Sequence, residues 1–285
     1  MDGVLVVDKP AGMTSHDVVA IVRRRLGERR VGHAGTLDPD ATGVLVLGVG
    51  RATRLLRFIE IHEKEYLADV TFGAETSTQD ASGEVLATHD PSALSREEVE
   101  RAAAGLVGEI EQVPPMVSAV KVGGERLYRK AQRGEEVERA ARRVVVHALD
   151  VEEFMPGVQA TARVRVRCSR GTYIRTLAHD LGRALQVGGH VATLRRVRIG
   201  PFVSDGAVPP GGLTEADLRP VLDAVQGYAR REVTSSEGAA VAHGRALPAF
   251  GVEGPYAVVS PEGLVAMSED RGAESRPICV VGASA

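Results

Sequence analysis

Hydrophobic periodicity divides the first 200 residues of the chain into short strands and helices. An apolar run at residues 3–8 predicts a buried first strand. After Ser15, apolar residues recur three and four positions apart as far as Leu26 and predict an amphipathic helix. A Ser-x-x-Glu capping box at Ser95 predicts a second helix that runs toward Leu106. Further strands are predicted at residues 43–49, 66–72 and 144–151.

The cleanest strand-like alternation lies at residues 158–169. Its apolar positions are Val158, Ala160, Ala162, Val164, Val166 and Cys168. The positions between them include Arg163, Arg165 and Arg167. Because successive side chains of a strand point to opposite faces, we expect one face to pack in the core and the other to present arginines.

The last third of the chain changes in character. A helical pattern at residues 174–181 ends before Gly188-Gly189. A Pro/Gly-rich stretch at 208–212 is typical of a linker, and a helix is predicted from Thr214 to about Val225. Short strands are then predicted at residues 256–260, 264–268 and 278–281. This pattern indicates a small β-rich module at the end of the chain.

Residues 31–42 lack any hydrophobic period and are rich in glycine and polar residues, which is typical of a loop. Asp38 lies there at a tight turn before Pro39, so it is either a catalytic carboxylate or only a turn former. His33 and Asp40 are potential metal ligands, but the segment has no third ligand at a suitable spacing. No metal site is predicted.

Composition narrows the class of protein. With 44% hydrophobic and 26% charged residues, the 285-residue chain is not typical of a disordered, collagen-like or coiled-coil protein. Its apolar runs are far shorter than the ~20 residues of a membrane-spanning helix. The acidic amino terminus does not resemble a secretory signal, and two widely separated cysteines indicate neither a disulfide framework nor a zinc site. We therefore expect a cytoplasmic protein.

Charge is distributed unevenly despite a net charge of −3. Residues 163–198 contain nine arginines and one acid, Asp180, which gives a local net charge of +8. A polyanionic partner fits this pattern. The alternative is an ordinary solvated face in a chain that uses arginine as its usual base, with 31 arginines against four lysines.

Six motifs occur in an order that is known from one family. They are Lys9-Pro10-Ala11-Gly12-Met13-Thr14-Ser15, the Gly-His-Ala-Gly-Thr-Leu-Asp-Pro-Asp-Ala-Thr-Gly segment at 32–43, Lys64-Glu65-Tyr66, the segment from Gln112 to Lys121, Ser169-Arg170-Gly171-Thr172-Tyr173-Ile174-Arg175, and the segment from His190 to Arg196. Together they closely resemble the tRNA pseudouridine synthase B (TruB) family. The resemblance covers the chain from its first strand to about residue 200.

The resemblance implies an α+β fold, with a pseudouridine synthase catalytic domain built around a long mixed, mostly antiparallel sheet. After about residue 230 the tail resembles a PUA-type RNA-binding module. The implied division is a catalytic domain at residues 1–228 and a small β-rich, PUA-like RNA-binding domain at residues 229–285. We therefore predict two domains, of which the first carries the chemistry.

The resemblance also implies roles for individual residues. Asp38 matches the catalytic nucleophile of the family, and Arg175 matches the arginine that pairs with it. The residues that match the uridine-binding set are His33, Tyr66, Tyr173 and Leu194. Tyr66 is also a suspected base, but a tyrosine of ordinary pKa is a poor base at neutral pH, so the identity of the general base stays open. No cofactor and no metal are implied.

The implied activity is isomerisation of the T-loop uridine, position 55 of tRNA, to pseudouridine, with the uridine flipped out of the loop into the cleft. The implied partner is the T stem-loop of tRNA; no protein partner is implied, and we expect a monomer. The face built by Arg163, Arg165, Arg167 and Arg170 comes just before Tyr173 and Arg175, so we expect it to deliver the RNA backbone to the pocket. Two departures from the family are Ser82, where a second acid is usual beside Asp80, and Ala131-Gln132, where alanine-arginine is common. We expect both to affect RNA positioning more than chemistry.

Two other functions are compatible with these motifs. A guide-RNA-dependent relative of the dyskerin type would share them, but the compact length and the absence of basic tails favour a stand-alone enzyme. A protein that only binds or folds RNA is the second alternative. An intact set of Asp38, Tyr66 and Arg175 favours an enzyme, because binding alone does not require a nucleophile.

Overall fold

The main element of the first 200 residues is a mixed sheet of nine strands. The structure is a computed structural model that describes residues 1–116, 121–122, 125–126, 133, 135 and 137–282. The strands are β1 (Gly3–Lys9), β2 (Val31–His33), β3 (Thr42–Val49), β4 (Lys64–Phe72), β5 (Ala74–Thr76), β6 (Val85–Thr88), β7 (Gly108–Gln112), β8 (Lys121–Val122), β9 (Glu125–Arg126), β10 (Arg142–Met155), β11 (Thr161–Cys168), β12 (Gly189–Ile199), β13 (Phe202–Val203), β14 (Arg230–Glu232), β15 (Leu247–Pro248), β16 (Tyr256–Ser260), β17 (Gly263–Arg271) and β18 (Glu274–Val280). The α-helices are α1 (Ser15–Leu26), α2 (Leu56–Glu60), α3 (Arg96–Ala104), α4 (Ile174–Ala184) and α5 (Ser235–Ala242). Short 3-10 helices lie at Gly50–Leu55, Glu215–Asp217 and Val221–Val225.

Strand β12 joins the two halves of this sheet. The strand order is β1-β3-β12-β4-β11-β10-β7, with β2 beside β3 and β13 beside β12. Strands β12 and β3 pair in parallel, and the other neighbouring strands of this sheet pair antiparallel. The predicted α+β architecture with a mixed, mostly antiparallel sheet is therefore confirmed.

In the half of the sheet formed by β4, β11 and β10, one face packs against helices and the other faces solvent, whereas β1 and β3 are buried on both faces. Along β4 every second residue is buried, including Tyr66, Ala68 and Val70, whereas the residues between them are only half-buried. Helices α3 and α4 cover the buried face through side chains such as Val99 and Leu177. An antiparallel sheet that is covered on one face only produces this alternation.

The arginines of β11 lie on the solvent face, as predicted, and each has an acidic neighbour there. Val166 lies opposite Tyr66 in the β11–β4 ladder, so Arg165 and Arg167 point away from Tyr66 across the sheet. The ion pairs on that face are Arg163–Asp69 (2.9 Å), Arg163–Glu153 (3.6 Å), Arg165–Glu65 (2.8 Å), Arg165–Glu152 (2.6 Å), Arg167–Glu63 (3.9 Å) and Arg198–Glu65 (2.8 Å). We call this set of arginines and acids the paired-charge face; its role toward RNA stays a prediction.

Helix boundaries follow local sequence signals. Helix α1 begins after Thr14, whose side chain and that of Asp17 form a capping box, and it ends at Gly27 in the left-handed conformation. Its predicted apolar face, which includes Val18 and Val22, is buried. The capping box predicted at Ser95 also forms and opens α3.

Strand β12 was not predicted, although it occupies the middle of the sheet. Two irregularities in its pairing with β4, between Val191 and Thr193 and between Arg196 and Arg198, shift the register. Each β-bulge changes the parity of inward and outward positions, so no period of two survives in the sequence. The signal on which strand prediction depends is therefore absent from this segment.

Two other predictions are corrected by the structure. The helix expected from Thr214 to Val225 is instead two short 3-10 turns separated by Pro220. Proline disfavours a helical conformation at the residue before it, and the backbone of Arg219 pairs with Val4 of β1 instead. Val158, expected on the buried face, is 80% exposed because β11 begins only at Thr161.

The last part of the chain forms a separate five-stranded sheet in the order β14-β16-β17-β18-β15. The three strands predicted in the tail correspond to β16, β17 and β18. Helix α5 was not predicted, although Thr234 and Glu237 form a capping box at its start. No helix in the described ranges is both long and apolar enough to cross a membrane.

A row of three arginines joins the two sheets. Each arginine donates a hydrogen bond to a carbonyl oxygen at the end of the chain: Arg51 to Gly282 (3.2 Å), Arg54 to Val280 (2.9 Å) and Arg57 to Ile278 (2.8 Å). The arginines are three residues apart in a helical segment, so their side chains lie on one face of it. The carbonyls are two residues apart in an extended segment, so they point from the same edge of the strand. The row therefore caps an edge of β18 that would otherwise be open to pairing.

We expect Arg54→Met to lower the free energy of unfolding by about 1 kcal/mol, because the change removes a charged donor from the Val280 carbonyl. Thermal unfolding should show a melting temperature lower by about 2–4 °C. The control is Arg30→Met, which removes an exposed arginine whose contact with Glu28 is 3.7 Å long. Equal effects of the two substitutions would contradict a role of the arginine row in stability.

Candidate active site

The loop that carries Asp38 is held by buried polar side chains from outside the loop. The hydroxyl of Ser15, at the start of α1, accepts a hydrogen bond from the Leu37 amide (2.9 Å) and donates one to the Leu37 carbonyl (3.2 Å). The ammonium group of Lys9, at the end of β1, donates to the Pro39 carbonyl at 2.8 Å. Both side chains are fully buried. The backbone on either side of Asp38 is therefore fixed.

Arg196 of β12 holds the beginning of the same loop. Its guanidinium donates to the carbonyls of Val44 (2.8 Å) and Gly35 (3.1 Å), and only 1% of the residue is exposed. Arg196 lies directly opposite Tyr66 in the β12–β4 ladder. One residue thus lies next to both the Asp38 loop and a predicted base-binding residue.

Asp38 contacts Arg175 through both of its carboxylate oxygens. The distances are 3.0 Å from Arg175 Nε to Oδ2 and 3.2 Å from Nη2 to Oδ1. Arg175 belongs to the first turn of α4, and its side chain is only 5% exposed. Its Nη1 also donates to the Thr78 carbonyl (3.0 Å) and to Asp80 Oδ2 (3.3 Å). A single buried guanidinium is therefore shared by two carboxylates.

The two carboxylates experience opposite environments. Burial raises the pKa of Asp38 above its ordinary value of 3.8, and the nearby charge of Asp80 adds to this effect, whereas Arg175 opposes it. Burial also tends to raise the pKa of Asp80. Hydrogen bonds from Ser82 and Thr78, together with the charge of Arg175, outweigh this effect and hold the pKa of Asp80 below 3.8. Asp38 is thus the more basic carboxylate, which is the property that a nucleophile requires.

Asp80 is a site residue to which the sequence alone gave no role. Its Oδ1 accepts hydrogen bonds from the hydroxyl of Thr78 (2.6 Å) and from the hydroxyl (2.6 Å) and amide (3.0 Å) of Ser82. Ser82, which departs from the family pattern, is therefore a donor to the acid beside it. We expected this departure to affect RNA positioning; the contact between Asp80 and Arg175 shows that it affects the electrostatics of Asp38. The Thr-x-Asp-x-Ser spacing is the only sequence signal for this arrangement.

Two cavities meet at Asp38. The larger, of about 580 Å³, is lined by Tyr66, Tyr173 and buried Lys64, and its volume lies within the range of about 300–1,000 Å³ that is common for ligand sites. The smaller, of about 210 Å³, is lined on its far side by the loop around Asp80. The residues that line both cavities are Asp38, Arg175 and Leu194. The structure therefore brings five of the six predicted site residues together.

His33 is the exception. It is the last residue of β2, and its ring packs edge-on against His16 of α1 with a centroid distance of 5.4 Å. It lines neither of the two cavities that contact Asp38. The family motif places His33 in the uridine-binding set, and that assignment stays a prediction.

The two predicted tyrosines are held differently. Tyr66 is 7% exposed, and burial raises the pKa of its phenol above the ordinary value. Tyr173 immediately precedes α4, and its amide and carbonyl are both bonded to the side chain of Gln112, at 2.9 and 3.3 Å. Tyr173 is therefore fixed through its backbone, whereas Tyr66 is fixed through its side chain.

Two lysines of the family motifs bind backbone carbonyls. Lys9 donates to the carbonyls of Met13 (2.7 Å) and Pro39 (2.8 Å), so its role is structural. Lys64 donates to the carbonyls of Glu60 (2.6 Å) and His62 (2.9 Å), and burial lowers its pKa to about 8. The Ser118-Ala119-Val120 motif and the Ala131-Gln132 departure lie outside the described residues.

Family comparisons match nearly the whole chain. Residues 23–174 match the TruB family pseudouridylate synthase N-terminal domain. Residues 175–221 match the tRNA pseudouridylate synthase B C-terminal domain, and residues 228–282 match the C-terminal domain of tRNA pseudouridine synthase II. The matched segments include Asp38, Tyr66 and Arg175.

Relatives of high identity carry one name. A protein of Thermobifida fusca named tRNA pseudouridine synthase B is 47% identical over 99% of this chain and 99% of its own length. A protein of the same name from Symbiobacterium thermophilum is 53% identical over 86% of this chain and 82% of its own length. Among solved structures, the crystal structure of a Cbf5-Nop10-Gar1 complex has a TM-score of 0.75 at 28% identity, and it covers 98% of this chain and 84% of that chain. An H/ACA RNP bound to a substrate RNA containing 2'-deoxyuridine has a TM-score of 0.73 at 26% identity, over 98% of this chain and 84% of that one.

The mixed sheet and these structural neighbours define the pseudouridine synthase fold, which is the fold of a class of RNA-modifying isomerases. The chain belongs to the TruB family of pseudouridine synthases, because the family match covers more than half of it and full-length relatives are close to half identical. As a tRNA pseudouridine synthase it isomerises uridine to pseudouridine in tRNA.

We expect Asp38→Asn and Asp80→Asn to change the melting temperature in opposite directions at pH 7. Because folding raises the pKa of Asp38, the protonated carboxyl group stabilises the fold; this stabilisation is complete below pH 3.8 and is lost as pH rises through the folded-state pKa. At pH 7 the neutral amide of Asp38→Asn should therefore leave the melting temperature unchanged or raise it. The lowered pKa of Asp80 means that its charge stabilises the fold above pH 3.8, so its loss should lower the melting temperature by about 4 °C.

Thermal unfolding between pH 4 and 8 provides the measurement for both variants. The two carboxylates bind the same guanidinium, so each variant is the control for the other. The Asp38→Asn difference from the wild type should shrink as pH falls toward 4, because wild-type Asp38 then becomes protonated, whereas the Asp80→Asn difference should persist at pH 4, because the pKa of Asp80 lies below 3.8. Destabilisation of equal size by both substitutions would contradict the opposite electrostatic roles.

We expect Arg196→Lys to lower kcat about 100-fold and to leave the Kd for RNA within about threefold of the wild type. A lysine keeps the charge but lacks the planar guanidinium that binds the Gly35 and Val44 carbonyls together. The control is Arg195→Lys at the next position, whose side chain points to the other face and pairs with Asp8. A similar loss of kcat in both variants would contradict a specific role of Arg196 in holding the loop.

Proposed function

We propose that the substrate is the T-loop uridine at position 55 of tRNA, and that Asp38 is the nucleophile that attacks it. The observation that carries this proposal is the two-point contact between Asp38 and buried Arg175 at the wall of a cavity that also contains Tyr66 and Tyr173. The full-length similarity to proteins named tRNA pseudouridine synthase B supports the choice of tRNA. The family resemblance of the motifs supports the position in the T loop.

The depth of the site requires that the target uridine leave its stack. Tyr66 is buried at the floor of the cavity, beyond the reach of a base that remains paired or stacked in an RNA loop. A flipped uridine would stack on an aromatic ring, an interaction worth about 1–3 kcal/mol per base, which offsets the cost of unstacking. We assign Tyr66 and Tyr173 to the two sides of the base and Leu194 to the wall beside Asp38.

Asp38 supplies the electron pair for the isomerisation. Attack on the anomeric carbon of the ribose would form an ester bond to Asp38 and break the glycosidic bond, so that the uracil leaves as an anion; attack on the pyrimidine ring is the alternative. The uracil then turns and rejoins the ribose through carbon 5, which displaces the carboxylate. Nitrogen 1 gains a proton, and carbon 5 loses one. The Arg175 guanidinium keeps Asp38 ionised and orients it throughout.

Tyr66 acts as a stacking group in this scheme. Burial raises the pKa of its phenol, so the hydroxyl stays protonated at neutral pH and is not a ready base. Its ladder partner Arg196 donates to the Gly35 carbonyl, so the stacking platform lies beside a residue that holds the Asp38 loop. The two domains at residues 1–228 and 229–285, acting as a monomer on one T stem-loop, complete the proposal.

The test is release of tritium from a T-arm RNA that carries tritium at carbon 5 of its uridines. The wild-type chain should release tritium, and Asp38→Asn should reduce the rate at least about 1,000-fold with RNA binding retained. The matched control is Asp40→Asn in the same loop, which lines only the smaller cavity and should stay within about threefold of the wild type.

Three outcomes would contradict parts of the proposal. Release by Asp38→Asn at the wild-type rate would exclude Asp38 as the nucleophile. Release from other RNA loops but not from the T arm would exclude the assigned position. Binding of the T arm without release by the wild-type chain would favour a protein that binds or folds RNA.

A further inference from the structure

Three exposed arginines surround the mouth of the larger cavity. They are Arg142 and Arg143, at the start of β10, and Arg170, in the turn before α4. All three line the cavity that contains Asp38 and Tyr66. We call Arg142, Arg143 and Arg170 the mouth arginines.

The mouth arginines differ from the arginines of the paired-charge face in their partners. Within the described parts of the chain, neither Arg142 nor Arg170 lies within 4 Å of a carboxylate. Arg143 lies 3.3 Å from Glu109 and 4.0 Å from Glu111, but all three side chains are more than half exposed, and such pairs contribute only about 0–1 kcal/mol. The mouth arginines can therefore exchange water for an external anion at low cost.

A backbone link holds the mouth arginines close to one another. Ser169, next to Arg170, donates its amide hydrogen to the Val145 carbonyl at 2.8 Å, and its hydroxyl accepts from the Val145 amide at 2.9 Å. Val145 lies two residues after Arg143 in β10. The turn itself is closed by Thr172, whose hydroxyl donates to the Ser169 carbonyl at 3.0 Å. The backbone of the turn that carries Arg170 is thus tied to the strand that carries Arg142 and Arg143.

The charge of the cavity as a whole favours an anion. Its cations are Lys64, Arg142, Arg143, Arg170, Arg175 and Arg196, and its acids are Asp38 and Glu60. Of the cations, Arg196 and Lys64 are buried and bonded to carbonyl oxygens, and Arg175 is bonded to Asp38 and Asp80. Only the mouth arginines are exposed and so positioned to meet a ligand from solvent.

We propose that the mouth arginines bind the phosphodiester groups on either side of the flipped target nucleotide. This inference rests on the proposed function, because a nucleotide whose base lies against Tyr66 must leave its two flanking phosphates at the mouth of the cavity. The ligand class is the backbone of a single-stranded RNA loop. Contacts to phosphate position the strand without reading its sequence, which suits guanidinium groups that surround a pocket for one base.

The salt dependence of RNA binding tests this proposal. The RNA is a T-arm product that already carries pseudouridine at the target position, so that no chemistry accompanies binding. Arg142→Gln and Arg170→Gln should each reduce the slope of log K against log salt by about 0.7–0.9 and raise Kd about five- to tenfold at moderate salt. At saturating substrate RNA, kcat should remain within about threefold of the wild type.

The paired-charge face supplies matched controls. Arg163→Gln and Arg167→Gln remove the same side chain from the opposite side of the same sheet, where each arginine has an acidic neighbour. Neither control should change the slope or Kd by more than about twofold. All four positions are exposed, so melting temperatures should stay close to that of the wild type.

The outcomes separate this proposal from the proposed function. An unchanged slope for Arg142→Gln and Arg170→Gln, or an equal loss of slope in Arg163→Gln and Arg167→Gln, would overturn the assignment of the mouth arginines. The release of tritium by Asp38→Asn is independent of these slopes, so it alone decides whether the nucleophile assignment fails. A loss confined to kcat, with an unchanged slope, would also overturn the proposal.

Discussion

The buried guanidinium of Arg175 is the interaction on which the rest of the site depends. It contacts Asp38 at 3.0 Å and Asp80 at 3.3 Å, and its side chain is almost completely removed from water. A buried cation is costly unless it is paired, so the fold must bring carboxylates to it from distant parts of the chain. The hydroxyls of Thr78 and Ser82 keep Asp80 strongly acidic, and Asp38 is left as the more basic partner that faces the cavity.

The loop around Asp38 has little regular structure of its own, and the surrounding fold supplies its order. Ser15, Lys9 and Arg196 are buried polar side chains whose partners are carbonyl or amide groups of this loop. A buried polar group that loses its partner is strongly destabilising, so each of these contacts favours one loop conformation. A reacting carboxylate is effective only at a defined distance and angle, and this network provides that definition.

The sheet also separates charge between its two faces. On the solvent face, Arg163 and Arg165 are neutralised by acids of β4 and β10, whereas the mouth arginines on the catalytic side are exposed. Under the proposed function, this separation lets a chain of net charge −3 bind a polyanion, because the mouth arginines line the cavity that contains Asp38.

Local chemistry in the sequence determined α1, α3 and α4, most strands of the antiparallel half of the sheet and the turn that carries Asp38, because capping boxes and periodicity act over a few residues. The motif resemblance assigned Asp38 and Arg175 to one site, and their contact agrees with it. Tertiary structure alone decided the central place of β12, whose two bulges erase its period, and the orientation of the β11 arginines away from the cleft. It also decided the role of Asp80, because the contact with Arg175 joins residues 95 positions apart and leaves no local pattern in the chain.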